Sequence, residues 1–153
     1  MHIGFDIDGV ISKRDYTRVS LPFVKVSLAI VHRFFPSILR RWALSQPLQD
    51  EIEIARKISQ DHTISIITAR PPHLRKYTEQ WLQNVAHIKY DELYCVGLST
   101  GFGQRKLDIA KRIGLDMFLD DTPETIELFR EQGVHAQLFT RWEDVMLHTE
   151  SKH

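Results

Sequence analysis

Short apolar runs, each closed by turn-forming or acidic residues, recur along the chain. Residues 3–7 are apolar apart from Asp6 and are bounded by Asp8-Gly9, the pattern of a buried central strand ending in a turn. Thr63-Ile64-Ser65-Ile66-Ile67-Thr68 is rich in β-branched residues and stops at Ala69-Arg70-Pro71-Pro72, where two prolines forbid continuation. Residues 93–96, 117–119 and 136–139 are further short runs, the second ending in Asp120-Asp121. Between the runs the period changes. Ile52, Ala55 and Ile58 share one helical face within 48–59, and 72–85 and 106–113 read the same way. Thr122-Pro123-Glu124-Thr125 reads as a helix start, with Thr122 capping and Pro123 in the first helical position, and Gly133 closes that helix after Gln132. Alternation of strand and helix predicts an α/β fold, a central parallel sheet covered by helices on both faces. Such sheets bind ligands beyond the C-terminal ends of their strands.

Residues 12–47 interrupt the alternation. Leu21, Phe23, Val24, Val26, Leu28, Ile30, Val31, Phe34 and Phe35 are interspersed with Lys25, His32 and Arg33, and Pro36 precedes Ile38-Leu39-Arg40-Arg41-Trp42. Two helices hinged at Pro36 are expected. The segment is read as a small helical cap inserted in a single domain spanning 1–153, packed over the site or forming a homodimer contact. A basic amphipathic stretch over 21–44 is also compatible with a membrane surface. No uncharged apolar run approaches the roughly 20 residues needed to cross a bilayer, so no transmembrane span is expected.

Composition narrows the classes. An apolar share of 42% and an aromatic share of 10% suffice for a sizeable core. Lys+Arg and Asp+Glu both number 20, which argues against a uniformly basic surface and hence against a stable nucleic-acid complex. Cys95 has no cysteine partner for a disulfide and reads as a buried, inert thiol. The eight histidines show no metal-ligand pairing at helical spacing. A charge inside the first apolar run, His2-Ile3-Gly4-Phe5-Asp6, speaks against a secretory signal peptide, so a cytoplasmic location is the expectation.

The chemistry-bearing residues sit at the ends of the expected strands. Asp6 and Asp8 flank one residue, so a strand-to-turn transition can bring both carboxylates to one pocket, one as nucleophile and the other as proton donor. A carboxylate attacking an anionic phosphate ester needs a divalent cation to reduce the repulsion. Asp120-Asp121 offer the oxygen ligands that Mg²⁺ prefers. The Thr68 hydroxyl and the Ala69 amide can donate to a phosphoryl oxygen, and Lys106 can stabilise the transferring group. Each signal has a plainer alternative. Asp-x-Asp-Gly is a common turn, Asp120-Asp121 can cap a helix, and Lys106 can be a solvated helix residue. Arg70 is equally compatible with a substrate contact and with a surface salt bridge. Their order carries the signal: acidic pair, threonine, lysine, acidic pair, each at its expected boundary.

Phe5-Asp6-Ile7-Asp8-Gly9-Val10, Ile66-Ile67-Thr68-Ala69-Arg70, Lys106 and Phe118-Leu119-Asp120-Asp121 resemble the four ordered motifs of the haloacid dehalogenase superfamily, across nearly the whole chain. The Thr-Ala-Arg-Pro loop, the following segment through Trp81-Leu82 and the double Asp are most similar to its small 5'(3')-deoxyribonucleotidase-like branch. The resemblance implies a three-layer Rossmann-like fold and a Mg²⁺-dependent phosphatase acting on a small phosphorylated substrate such as a nucleotide. It implies Asp6 as nucleophile and Asp8 as general acid and base. Mg²⁺ would be held by Asp6, the Asp8 carbonyl and Asp120, with Asp121 behind them. Thr68, with Ala69 and Arg70, would bind substrate, and Lys106 would be the motif lysine, 14 residues before Asp120, with Arg105 and Lys111 as the other candidate cations. An Asp at position 8 favours phosphatases over dehalogenases, because hydrolysis of an aspartyl-phosphate needs a base. A phosphatase of lipid or macromolecular phosphates would use the same residues, with Arg33, Arg40 and Arg41 docking the larger substrate. A non-catalytic Mg²⁺/phosphate-binding module leaves Asp8 unexplained.

Overall fold

The computed structural model describes residues 1–12 and 52–145. Strand β1 (His2–Phe5) is the middle of a five-stranded, wholly parallel sheet. Strand β2 (Thr63–Thr68) and then β3 (Glu92–Cys95) lie on one side of it, and β4 (Met117–Asp120) and then β5 (Ala136–Leu138) on the other. Helix α1 (Ile52–Asp61) precedes β2, α2 (Arg75–Trp81) links β2 to β3, α3 (Phe102–Ile113) links β3 to β4, and α4 (Pro123–Glu131) links β4 to β5.

Strands covered on both faces read as continuous apolar runs because both side-chain parities are buried. Here Ile3, Phe5, Ile64, Ile66, Met117 and Leu119 enter one core, together with Ile52 and Ala55 of α1, Trp81 of α2 and Trp142. The intervening residues Ile67 and Phe118 enter a second core with Leu107 and Ala110 of α3 and Ile126 and Phe129 of α4. Three layers result, the α/β architecture expected from the sequence. Gly4 faces the second core, and a Cβ there would lie 2.3 Å from a Leu115 methyl. In that core the Phe118 and Phe129 rings stack at 4.4 Å.

Several boundaries differ from the sequence reading. β1 ends at Phe5, although the Asp6 amide still donates to the Leu119 carbonyl at 3.0 Å. The helix read over 72–85 is three pieces: a 3-10 turn (Pro72–Leu74), α2, and a π turn (Leu82–Ala86) ended by His87 at φ +51°. Pro71 and Pro72 fix the extended entry, and the left-handed residue stops the winding. Helix α3 starts at Phe102, four residues before the expected 106, because Gly101 at φ +81° turns the chain into it. Thr122 occupies the N-cap of α4 without a side-chain cap bond; its hydroxyl lies 3.5 Å from Asp121 Oδ1. The expected cap insertion at 12–47, the start of the helix expected at 48 and the homodimer or membrane-surface contact over 21–44 lie outside the described residues. No described helix is long and apolar enough to cross a membrane.

Candidate active site

The strand register brings the acidic residues together. Phe5 pairs with Leu119, so the next residues, Asp6 and Asp120, stand side by side at the C-terminal end of the sheet. Each follows by two a residue facing the second core, Gly4 and Phe118, so both carboxylates point to the face covered by α3. Lys106 rises from that helix between them. Its Nζ donates to Asp6 Oδ2 and to Asp120 Oδ2, each at 2.7 Å, with the lysine side chain fully buried. The remaining oxygens are also committed: Asp6 Oδ1 accepts from the Ile7 amide at 2.7 Å, and Asp120 Oδ1 from the Thr122 amide at 2.9 Å. The plain reading of Lys106 as a solvated helix residue is thereby excluded.

Burial pushes the Asp6 carboxyl above the ordinary carboxylate range, with Lys106 opposing and Asp120 and Asp8 adding to the rise. Burial pulls Lys106 down, but Asp6 and Asp120 outweigh it and hold the ammonium above the ordinary lysine range. The rise of Asp6 comes from its desolvation, and that of Lys106 from the two carboxylates that share its ammonium.

Asp8 lies one turn further on. Ile7, Val10, Ile11 and Ser12 form a tight turn in which three amides donate to the Ile7 carbonyl. Gly9 is at φ +93°, and a Cβ there would sit 1.9 Å from Asp121 Oδ2, so the glycine both permits the turn and leaves room for Asp121. The Asp8 carboxylate is 18% exposed and receives a two-pronged bond from Arg70: Nε to Oδ2 at 2.9 Å and Nη2 to Oδ1 at 2.8 Å. Ser12 Oγ adds a bond of 3.0 Å. Arg70 itself is fully buried, which corrects its reading as a surface salt-bridge partner. Thr68, at the end of β2, is buried and its Oγ1 accepts from the Arg70 amide at 3.3 Å, with half-buried Ala69 between them.

Among the candidate cations, Lys106 alone meets the acidic pair. Arg105 is turned away and donates to the carbonyls of Val96, Gly97, Ser99 and Thr100, clamping the loop before α3. Lys111 is exposed and donates to Gln132 Oε1 at 3.0 Å. Two supports escaped the sequence reading. Ser12 has a faint signal, its place four residues after Asp8. Trp142 has none: it is buried far along the chain and donates from Nε1 to the Val10 carbonyl at 3.0 Å, bracing the turn.

Among the described residues no three acidic, histidine or cysteine side chains converge on one point. The donor set nevertheless fits Mg²⁺, which takes only oxygen ligands and is commonly held by one or two carboxylates plus water and phosphate. Asp6 and Asp120 share the buried Lys106, Asp8 meets the buried Arg70, and Asp121 adds a fourth carboxylate against Gly9. The formal surplus of negative charge is what a divalent cation would cancel.

No protein-family model matches the sequence, and no curated protein matches it either. Solved structures do. The chain is similar to a hydrolase from Streptococcus pneumoniae TIGR4, with a TM-score of 0.62 and 14% identity over 97% of each chain. It is similar to a HAD family enzyme from Bacteroides thetaiotaomicron in a magnesium complex, with a TM-score of 0.60 and 10% identity over 92% of this chain and 93% of that one. An Asp-to-Ala variant of that enzyme, in complex with magnesium and inorganic phosphate, matches with a TM-score of 0.57 and 9% identity over 92% and 94% of the two chains. The chain therefore has the fold of haloacid dehalogenase-family hydrolases.

Proposed function

We propose that this chain is a Mg²⁺-dependent phosphomonoester hydrolase in which Asp6 is the nucleophile. The observation that carries the reading is the buried arrangement of Asp6 and Asp120 on Lys106, with Asp8 held beside it at the strand ends. A Asp6 oxygen attacks phosphorus as the bond from phosphorus to the leaving oxygen breaks. Asp8 gives its proton to that oxygen. The resulting carboxylate then takes a proton from water, which attacks phosphorus, releases inorganic phosphate and restores the Asp6 carboxylate. Lys106 keeps Asp6 and Asp120 compensated in a site where unpaired carboxylates would be costly. Bound Mg²⁺, held by Asp6 and Asp120 with the Asp8 carbonyl, would offset the charge of the phosphoryl group. Thr68 and the Ala69 amide would donate to its oxygens.

The finer proposal is a nucleotide substrate. Its support is the resemblance of the Thr68-Ala69-Arg70-Pro71 loop to the deoxyribonucleotidase-like branch. The magnesium and phosphate found with a similar fold support the chemistry in general terms. The test is phosphate release from deoxynucleotides, ribonucleotides, sugar phosphates and p-nitrophenyl phosphate, in Mg²⁺ and in EDTA. Mg²⁺-dependent release that peaks on nucleotides is expected. A peak elsewhere retains the phosphatase and removes the nucleotidase, and no release from any of them overturns the small-substrate reading.

A further inference from the structure

The site contains a buried guanidinium that the chemistry above does not use. Arg70 grips Asp8 with two parallel bonds of 2.9 and 2.8 Å. Its guanidinium lies 5.4 Å from the ring centre of Trp81, which is itself buried. Its backbone is fixed at both ends, the amide donating to Thr68 Oγ1 and the carbonyl accepting from the Gly97 amide at 3.1 Å. Asp8, by contrast, sits on a turn that depends on a left-handed glycine and has Ser12 as a further donor. A planar fork fixes both the position and the rotation of a carboxylate, which a point-charge ammonium does not.

We infer that Arg70, held over the Trp81 ring, is a positioning residue that orients the Asp8 carboxyl toward the leaving-group oxygen, and is not a substrate contact. The inference rests on the proposed function, since it assigns Asp8 a proton to deliver. Misalignment of an acid matters in proportion to how much the leaving group needs protonation. An alkoxide is a poor leaving group and p-nitrophenolate a good one, so the two substrate classes separate acid positioning from general damage. Removal of a well-placed acid costs on the order of 10²–10⁴-fold.

The experiment compares kcat/KM for alkyl phosphates and for p-nitrophenyl phosphate in the wild type, Arg70→Gln, Arg70→Lys and Trp81→Phe. This ratio reports steps through phosphoryl transfer to Asp6 and is insensitive to the later hydrolysis. Arg70→Gln and Arg70→Lys are expected to lose about 100-fold or more on alkyl phosphates and under about tenfold on p-nitrophenyl phosphate, mostly in kcat. Trp81→Phe, which keeps both charged groups, should shift the same ratio in the same direction by a smaller factor, and it covers the case in which the Arg70 variants do not fold. Equal losses on both classes, or a rise confined to KM, would overturn the inference and return Arg70 to a structural or substrate-binding role. A wild type inactive on both classes would overturn the proposed function with it, so the two failures are distinguishable.

Discussion

Replacing Lys106 with Met keeps the stem volume and removes the cation that bridges Asp6 and Asp120. The lysine side chain is fully buried and its Nζ makes two bonds of 2.7 Å. Its loss leaves two desolvated carboxylates facing each other, and breaking a buried pair costs about 3–5 kcal/mol. For a chain of this size each kcal/mol moves Tm by roughly 2–4 °C, so a fall on the order of 10–15 °C is expected in EDTA near neutral pH. The pH dependence has a definite sign. Burial already raises Asp6, and without the opposing Lys106 it rises further. A carboxyl raised in the folded state contributes stability below its unfolded pKa and loses it as pH climbs through the folded value. The deficit of Lys106→Met against the wild type should therefore be smaller at about pH 5 than at about pH 8. Mg²⁺ should restore part of the lost Tm and stabilise the variant more than the wild type, because it supplies the missing positive charge. Thermal unfolding by circular dichroism at both pH values, in EDTA and in Mg²⁺, tests this. A variant within about 2 °C of the wild type at both pH values would mean that Lys106 does not compensate the two carboxylates, since that corresponds to no more than about 1 kcal/mol.

Three further outcomes follow from the geometry. Gly9→Ala places a Cβ on Asp121 at φ +93°; it should lower stability by about 1–2 kcal/mol and raise the Mg²⁺ concentration for half-maximal activity about tenfold, and an unchanged Mg²⁺ titration would contradict it. Trp142→Phe leaves the buried Val10 carbonyl without its indole donor, so urea unfolding should report a loss of about 1–3 kcal/mol. Burial pushes the Cys95 thiol up to about 11, so at about pH 8 roughly one thiol in a thousand is ionised, and alkylation should be far slower than for free cysteine.

The sheet was legible because its strands are buried on both faces. Ile3, Phe5, Ile64, Ile66, Met117 and Leu119 give apolar runs whichever face each residue takes. Asp6, Thr68 and Asp120 were legible because parallel strands end at one edge, where residues at successive strand ends become neighbours, and Lys106 by its place 14 residues before Asp120 in the order of motifs. Connections made across the fold were not legible. Nothing near Arg70 in the chain points to Asp8, 62 residues earlier, and a charged residue in a short polar loop gives no sign that it is buried. Arg105 and Lys106 are adjacent cations in sequence, yet one helical step of about 100° turns Lys106 to the carboxylates and Arg105 to loop carbonyls. The divided helix after Pro71 escaped for a local reason. Its apolar spacing reads as one helix, while the left-handed turn at His87 lies at a residue type without a strong left-handed signal.

In the proposed mechanism Asp6 carries the phosphoryl group. Its most direct test is acid quenching of the wild type, Asp8→Asn and Asp6→Asn during turnover of a substrate bearing a labelled phosphoryl group, followed by peptide mapping. Label is expected on the peptide containing Asp6 in the wild type, with more of it in Asp8→Asn, where the base for hydrolysis is missing, and none in Asp6→Asn. Label persisting in folded Asp6→Asn, or mapping to another residue, would contradict it.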